Sequence, residues 1–122
     1  MILTLALGTN FEQEDHMDRA VEALEEFFQG AIIFSPSMWT EPVGLPGSDM
    51  FLNRLGRVDT DLDLVPLVRE LKRIESACGR TPERKAQGRI DMDIDVLEYG
   101  SHRYHDDDWG RPYVACLLKE LP

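Results

Sequence analysis

At 122 residues, with 43% apolar and 30% charged side chains, the chain has the make-up of one globular domain built on a single core. Thirteen Lys and Arg against 23 Asp and Glu leave a formal charge of −10, which argues against general attraction to nucleic acid or to an anionic membrane. A small anionic ligand stays compatible with that charge wherever local arginines and metal ions reverse the field.

Residues 2–7 form an apolar run closed by Gly8-Thr9-Asn10 and read as a central strand followed by a turn. Met17, Ala20, Val21, Leu24, Phe27 and Phe28 then recur at helical spacing, with Asp15 the expected N-cap and Gly30 just past the end. Residues 31–38 read as a second strand, in which Pro36 calls for an edge position or a bulge. The Pro- and Gly-rich stretch 40–49 is a loop long enough to carry function. A third strand over 50–60 leads to a second amphipathic helix carrying Leu64, Leu67, Val68, Leu71, Ile74 and Cys78, with Asp63 near its cap and Gly79 at its end. A polar loop over 79–89 precedes an acidic strand, and Pro112 can open a short last helix through Leu118. The order β-α-β-β-α-β predicts an α+β sandwich of ferredoxin-like type over 1–122, an antiparallel sheet with both helices on one face. Cys78 and Cys116 lack metal-binding spacing, no run reaches membrane-spanning length, and the N-terminus has no basic leader, so a reducing cytoplasm is the expected setting.

The chemistry concentrates around residues 90–97, where apolar and acidic residues alternate with period two. As a strand this places Asp91, Asp93 and Asp95 on one face, roughly 6.6–6.8 Å apart, where ionised carboxylates repel unless a cation sits over them. Asp is depleted in strands, so beside the reading as a solvated edge strand stands a second one, a platform for Mg²⁺ shared with substrate phosphates. Arg80, Arg84, Lys85 and Arg89 in the preceding loop are the cations a polyphosphate needs, or else a solvated basic loop offsetting the acidic strand. No P-loop or EF-hand spacing is present. His102 and His105 read as surface residues or as ligands to metal or phosphate, and Asp106 to Asp108 as a solvated turn or a second metal site. Asn53, on the inner side of an apolar strand, needs partners that a ligand with donor and acceptor edges can supply.

These segments together resemble the 6-hydroxymethyl-7,8-dihydropterin pyrophosphokinase family of folate biosynthesis across nearly the whole chain. The resemblance runs through Leu7-Gly8-Thr9-Asn10, Trp39-Thr40-Glu41-Pro42-Val43-Gly44, Phe51-Leu52-Asn53, the stretch from Arg73 to Arg80 and the stretch from Met92 to Leu97. The stretch from His105 to Tyr113 is similar to the family's histidine-to-arginine segment. The resemblance implies the ferredoxin-like fold, transfer of pyrophosphate from ATP to the pterin's hydroxymethyl oxygen with release of AMP, and two Mg²⁺ ions held by Asp93 and Asp95. By the same matching, Thr40, Pro42, Val43, Phe51, Asn53 and Tyr113 line the pterin pocket, with Phe51 and Tyr113 sandwiching the ring and Asn53 reading its edge. Glu75, Arg80, His105 and Arg111 serve the nucleotide and its phosphates, and Asp91 is extra, with no partner expected.

The loop over 80–90 departs from the family. Pro82, Gln87 and Ile90 stand where it has an arginine, a tryptophan and a catalytic-loop arginine. Arg84, Lys85 or Arg89 is then expected to substitute for them at the phosphates, Arg84 among the ATP-binding residues, with Arg80 and Arg89 joining Asp93 and Asp95 in the catalytic set. The departure keeps a second reading open, a pterin- or nucleotide-binding relative without catalysis. A metal-dependent nuclease or phosphatase is a third. The partners expected are small molecules, and the expected state is a monomer.

Overall fold

The computed structural model describes residues 1–42 and 49–121. In chain order the elements are β1 (Ile2–Thr9), α1 (Gln13–Phe27), β2 (Ile33–Phe34), β3 (Met38–Thr40), β4 (Phe51–Asp59), α2 (Leu64–Ala77), α3 (Pro82–Ala86), β5 (Asp93–Tyr99), β6 (His102–Arg103), α4 (Asp106–Trp109) and α5 (Pro112–Leu118). The sheet runs β2-β4-β1-β5-β6, β3 also pairs with β4, and every pairing is antiparallel. This is the expected α+β, ferredoxin-like order, with the first strand at the centre because its neighbours approach from both sides.

Period-two alternation divides the sheet residues between two cores. Leu3, Leu5 and Leu7 of β1, Leu52 and Val58 of β4, and Ile94 and Val96 of β5 join Met17, Leu24, Leu67, Leu71 and Ile74 of the two long helices. Ala6, Leu55 and Leu97 belong to a second, smaller cluster with Val114 and Leu117 of α5. The two amphipathic helices thus share one face as expected, and the short helix opened by Pro112 covers part of the other. Among the described residues no helix is long and apolar enough to cross a membrane.

The predicted second strand is split. From Phe34 to Met38 the chain takes four steps, while the β4 partners run only three, from Gly56 to Asn53. One residue of the 35–37 stretch is therefore surplus, a bulge at the proline that cannot donate to the ladder. Ser35 bridges the gap: its N–H donates to the Leu55 carbonyl at 2.9 Å and its Oγ accepts from the Leu55 N–H at 3.0 Å. The first helix also starts earlier than predicted, after Glu12 in the left-handed region. Asp15 therefore sits in the first turn, where its charge favours the helix dipole, and is not the cap. The polar loop contains the short helix α3, with Pro82 in its first turn and Thr81 Oγ1 accepting from the Arg84 N–H at 3.2 Å.

The acidic strand begins only at Asp93. Ile90, Asp91 and Met92 are all buried, so the alternation that holds from Asp93 onward does not extend back to Asp91. The expected row of three carboxylates is a pair. β6 pairs with β5 only at Glu98 and Tyr99, leaving the Asp93–Asp95 end as a sheet edge open to both faces.

Candidate functional site

Two cavities meet on that edge. The larger, about 470 Å³, lies on the α5 side and is lined by Thr40, Phe51, Asn53 and Tyr113 together with Asp93 and Asp95. The smaller, about 280 Å³, is lined by Lys72, Glu75, Arg80 and His105, by an apolar wall from α2, and again by Asp93 and Asp95. A molecule in each cavity would present its reacting end to the same two carboxylates. Gly8 of β1 sets the depth of the larger one: a Cβ there would lie 3.3 Å from Asn53 Oδ1 and 3.6 Å from the Phe51 ring. Asn53, 5% exposed, is held in place by donating Nδ2 to Thr40 Oγ1 at 2.6 Å and to the Met38 carbonyl at 3.4 Å.

One cation anchors Asp93, and one buried acid holds the strand between the two carboxylates. Arg80 Nη1 donates to Asp93 Oδ1 at 2.6 Å and lies 3.7 Å from Glu75 Oε2, which accepts from the Ile94 N–H at 2.7 Å. Burial raises the Glu75 carboxyl above its ordinary range, against the pull of the Ile94 hydrogen bond. Asp95 is pushed up to about 8, first by burial and then by the neighbouring charges of Asp93, Glu75 and Asp108 and a hydrogen bond with Asp93. Hard oxygen donors crowded at one edge, with one of them resisting ionisation for want of positive charge, fit a divalent cation. The folded value of Asp95 exceeds its ordinary 3.8, so its contribution to stability is complete below that value and is lost as pH rises through about 8. In chelator, the Tm advantage of Asp95→Asn over the parent chain is therefore expected to grow between about pH 5 and pH 8. Parallel curves would contradict this.

Asp91, expected to lack a partner, has three. At 1% exposure it accepts from Arg89 Nε and Nη2 at 3.0 and 2.9 Å and from Arg84 Nη1 at 3.2 Å, with His16 Nε2 3.8 Å away. Arg84 also donates to the Gly79 carbonyl, and the Arg89 guanidinium lies 3.4 Å over the Phe11 ring. Arg84 and Arg89, expected beside phosphate, line neither cavity and are committed to Asp91. Asn10 fastens the same junction, donating Nδ2 to the Gly88 carbonyl and accepting from the Ile90 N–H, each at 2.7 Å.

Of the other predicted site residues, Arg111 lines the larger cavity, paired with Asp108 at 3.1 Å, and not the cavity of Glu75 and His105. Pro42 does not line the larger cavity, and Val43 lies outside the described residues. Burial pushes Tyr113 up to about 12, so its phenol stays neutral. Sequence reasoning missed Lys72 and gave Asp108 no single role. Lys72 falls on the helical face next to Glu75, three residues along, which is the spacing that could have found it.

The family model for 7,8-dihydro-6-hydroxymethylpterin-pyrophosphokinase (HPPK) matches residues 4–122. The chain is 29% identical over 128 residues to a folate synthesis bifunctional protein of Arabidopsis thaliana, covering 98% of this chain and 26% of that protein. It is 32% identical over 130 residues to the mitochondrial folate synthesis bifunctional protein of Pisum sativum, covering 98% and 25%. To the 2-amino-4-hydroxy-6-hydroxymethyldihydropteridine pyrophosphokinase of Haemophilus influenzae it is 27% identical over 127 residues, covering 96% and 79%. The chain thus spans about a quarter of the two plant proteins and most of the bacterial one.

Proposed function

The chain belongs to the 7,8-dihydro-6-hydroxymethylpterin-pyrophosphokinase family, and from that membership we propose that it transfers pyrophosphate from ATP to 6-hydroxymethyl-7,8-dihydropterin in folate synthesis. The observation that carries this reading to the site is the shared edge: two cavities of different character open onto one pair of carboxylates. The pterin occupies the larger cavity, between Phe51 and Tyr113, with the Asn53 amide and Thr40 at its polar edge. The nucleotide occupies the smaller, against the α2 wall, with Arg80, Lys72 and His105 toward its phosphates.

The pterin's hydroxymethyl oxygen bonds to the β-phosphorus, the bond from that phosphorus to the oxygen bridging the α-phosphate breaks, AMP departs with that oxygen, and the hydroxyl proton passes to solvent. A divalent cation held by Asp93 and Asp95, Mg²⁺ by the family's habit, supplies charge neutralisation to the phosphates. Arg80 keeps Asp93 aimed at the seam and adds a second positive charge there. Glu75 fixes the register of β5 by holding the Ile94 N–H. The two cavities bring the reactants together, which is most of what this transfer requires of a protein. With Arg84 and Arg89 held by Asp91, phosphate neutralisation falls to Arg80 and Lys72 and, from the other side of the seam, Arg111. We take the working form to be a cytoplasmic monomer acting on small molecules alone, in keeping with the −10 charge.

Hydroxymethylpterin binding, titrated with and without Mg²⁺ and a non-hydrolysable ATP analogue, tests the assignment. Asn53→Ala is expected to weaken pterin binding about 10–100-fold, about 1.4–2.8 kcal/mol, while leaving analogue binding unchanged. Absence of binding of either ligand to the parent chain would overturn the proposal.

A further inference from the structure

Asp95 faces two side chains, His105 and Asp108, that have no joint part in the proposed transfer. His105 Nε2 lies 3.8 Å from Asp95 Oδ1, and one ligand atom each from Asp95, His105 and Asp108 fall within 4.8 Å of one another. Two atoms bound to one divalent ion at about 2.0–2.2 Å cannot lie more than about 4.4 Å apart. The His105–Asp95 separation already meets that limit, and the remainder closes with shifts of a few tenths of an ångström. His105 lines the smaller cavity, Asp108 the larger, and Asp95 both, so the three converge on the wall between them. Arg111 Nε occupies Asp108 Oδ1 at 3.1 Å, and a carboxylate has acceptor capacity for both an arginine and an ion.

We propose that His105 and Asp108 join Asp95 in holding a divalent cation, and that the imidazole nitrogen tunes this position toward Mn²⁺ or Co²⁺ over Mg²⁺. The inference rests on the reading of the Asp93–Asp95 edge as a cation site. Carboxylates alone suit Mg²⁺ and Mn²⁺ alike, whereas an imidazole ligand favours first-row transition ions, Co²⁺ more than Mn²⁺, because both bind nitrogen more strongly than Mg²⁺ does. A role for His105 toward phosphate alone would make no difference when nucleotide is absent, which sets the conditions of the test.

Nucleotide-free protein is titrated with Mn²⁺ by electron paramagnetic resonance, and bound Mn²⁺ is then displaced with Mg²⁺. Asp108→Asn and His105→Gln are each expected to weaken Mn²⁺ binding about tenfold or more, and His105→Gln to narrow the preference for Mn²⁺ over Mg²⁺. Pulsed measurements on the parent chain should show imidazole-nitrogen coupling to Mn²⁺, a signature that needs no variant. The chain has three histidines, His16, His102 and His105, and His16 Nδ1 is taken by the Phe11 carbonyl at 2.6 Å. The coupling should therefore survive His102→Gln and vanish in His105→Gln. Mn²⁺ binding that falls in Asp93→Asn but not in Asp108→Asn or His105→Gln, without nitrogen coupling, overturns this inference and leaves the cation site standing. No Mn²⁺ binding by the parent chain overturns both.

Discussion

Replacing Asp95 with alanine is expected to lower AMP formation about 10³-fold or more, equal to about 4 kcal/mol of transition-state stabilisation, with the fold intact. Asp93→Ala should fall as far. Asp95 stands at the seam of the two cavities, and in the proposed reaction its loss would take away a cation anchor at the point where charge shifts between oxygens. The same side chain is a liability to the empty fold, since burial and the charges of Asp93, Glu75 and Asp108 oppose its ionisation. Asp95→Ala should therefore melt no lower than the parent chain at neutral pH. Steady-state AMP release at saturating Mg-ATP and pterin, beside a thermal melt, gives both numbers. Activity within tenfold of the parent would contradict the role given to Asp95.

Arg89→Ala is expected to act on stability, costing about 3–5 kcal/mol in a urea titration. The reason lies with its partner. Asp91 is 1% exposed and takes two of its hydrogen bonds from Arg89, so removing the arginine leaves a buried carboxylate short of charge. The reverse change, Asp91→Asn, should cost less, about 1–3 kcal/mol, because Arg89 is about a third exposed and can turn to water. The ordering separates this account from one in which Arg89 chiefly meets phosphate. An Arg89→Ala variant as stable as the parent, with only a raised KM for ATP, would contradict it.

The strand and helix order was legible because each element carries its own period. Leu3, Leu5 and Leu7 alternate, while Leu64, Leu67, Val68, Leu71 and Ile74 repeat every three or four residues, and local pattern suffices for both. Asp93 and Asp95 were legible for the same reason. Asp91 was not: Arg89 and Arg84 lie only two and seven residues before it, but a period-two pattern does not say which way a loop turns their side chains, and His16 comes from the distant first helix. The ladder bulge at Pro36 was half legible. The proline announces a defect in pairing, but only the register against β4 shows that one residue is surplus. Arg84 and Arg89 looked like phosphate ligands because charge and proximity in sequence carry no direction; a buried carboxylate took them instead. Asp108 stayed undecided within a run of three aspartates until the turn of α4 brought it to Asp95 and His105.

The central claim is that two substrates meet at the Asp93–Asp95 edge and exchange a pyrophosphoryl group there. Incubating the purified chain with Mg-ATP and 6-hydroxymethyl-7,8-dihydropterin, and following AMP, tests it most directly. AMP and pterin pyrophosphate are expected in equal amounts, formed only when pterin and a divalent cation are both present. Binding of both substrates with no AMP, at protein concentrations matching theirs, would contradict it and leave a binding relative without catalysis.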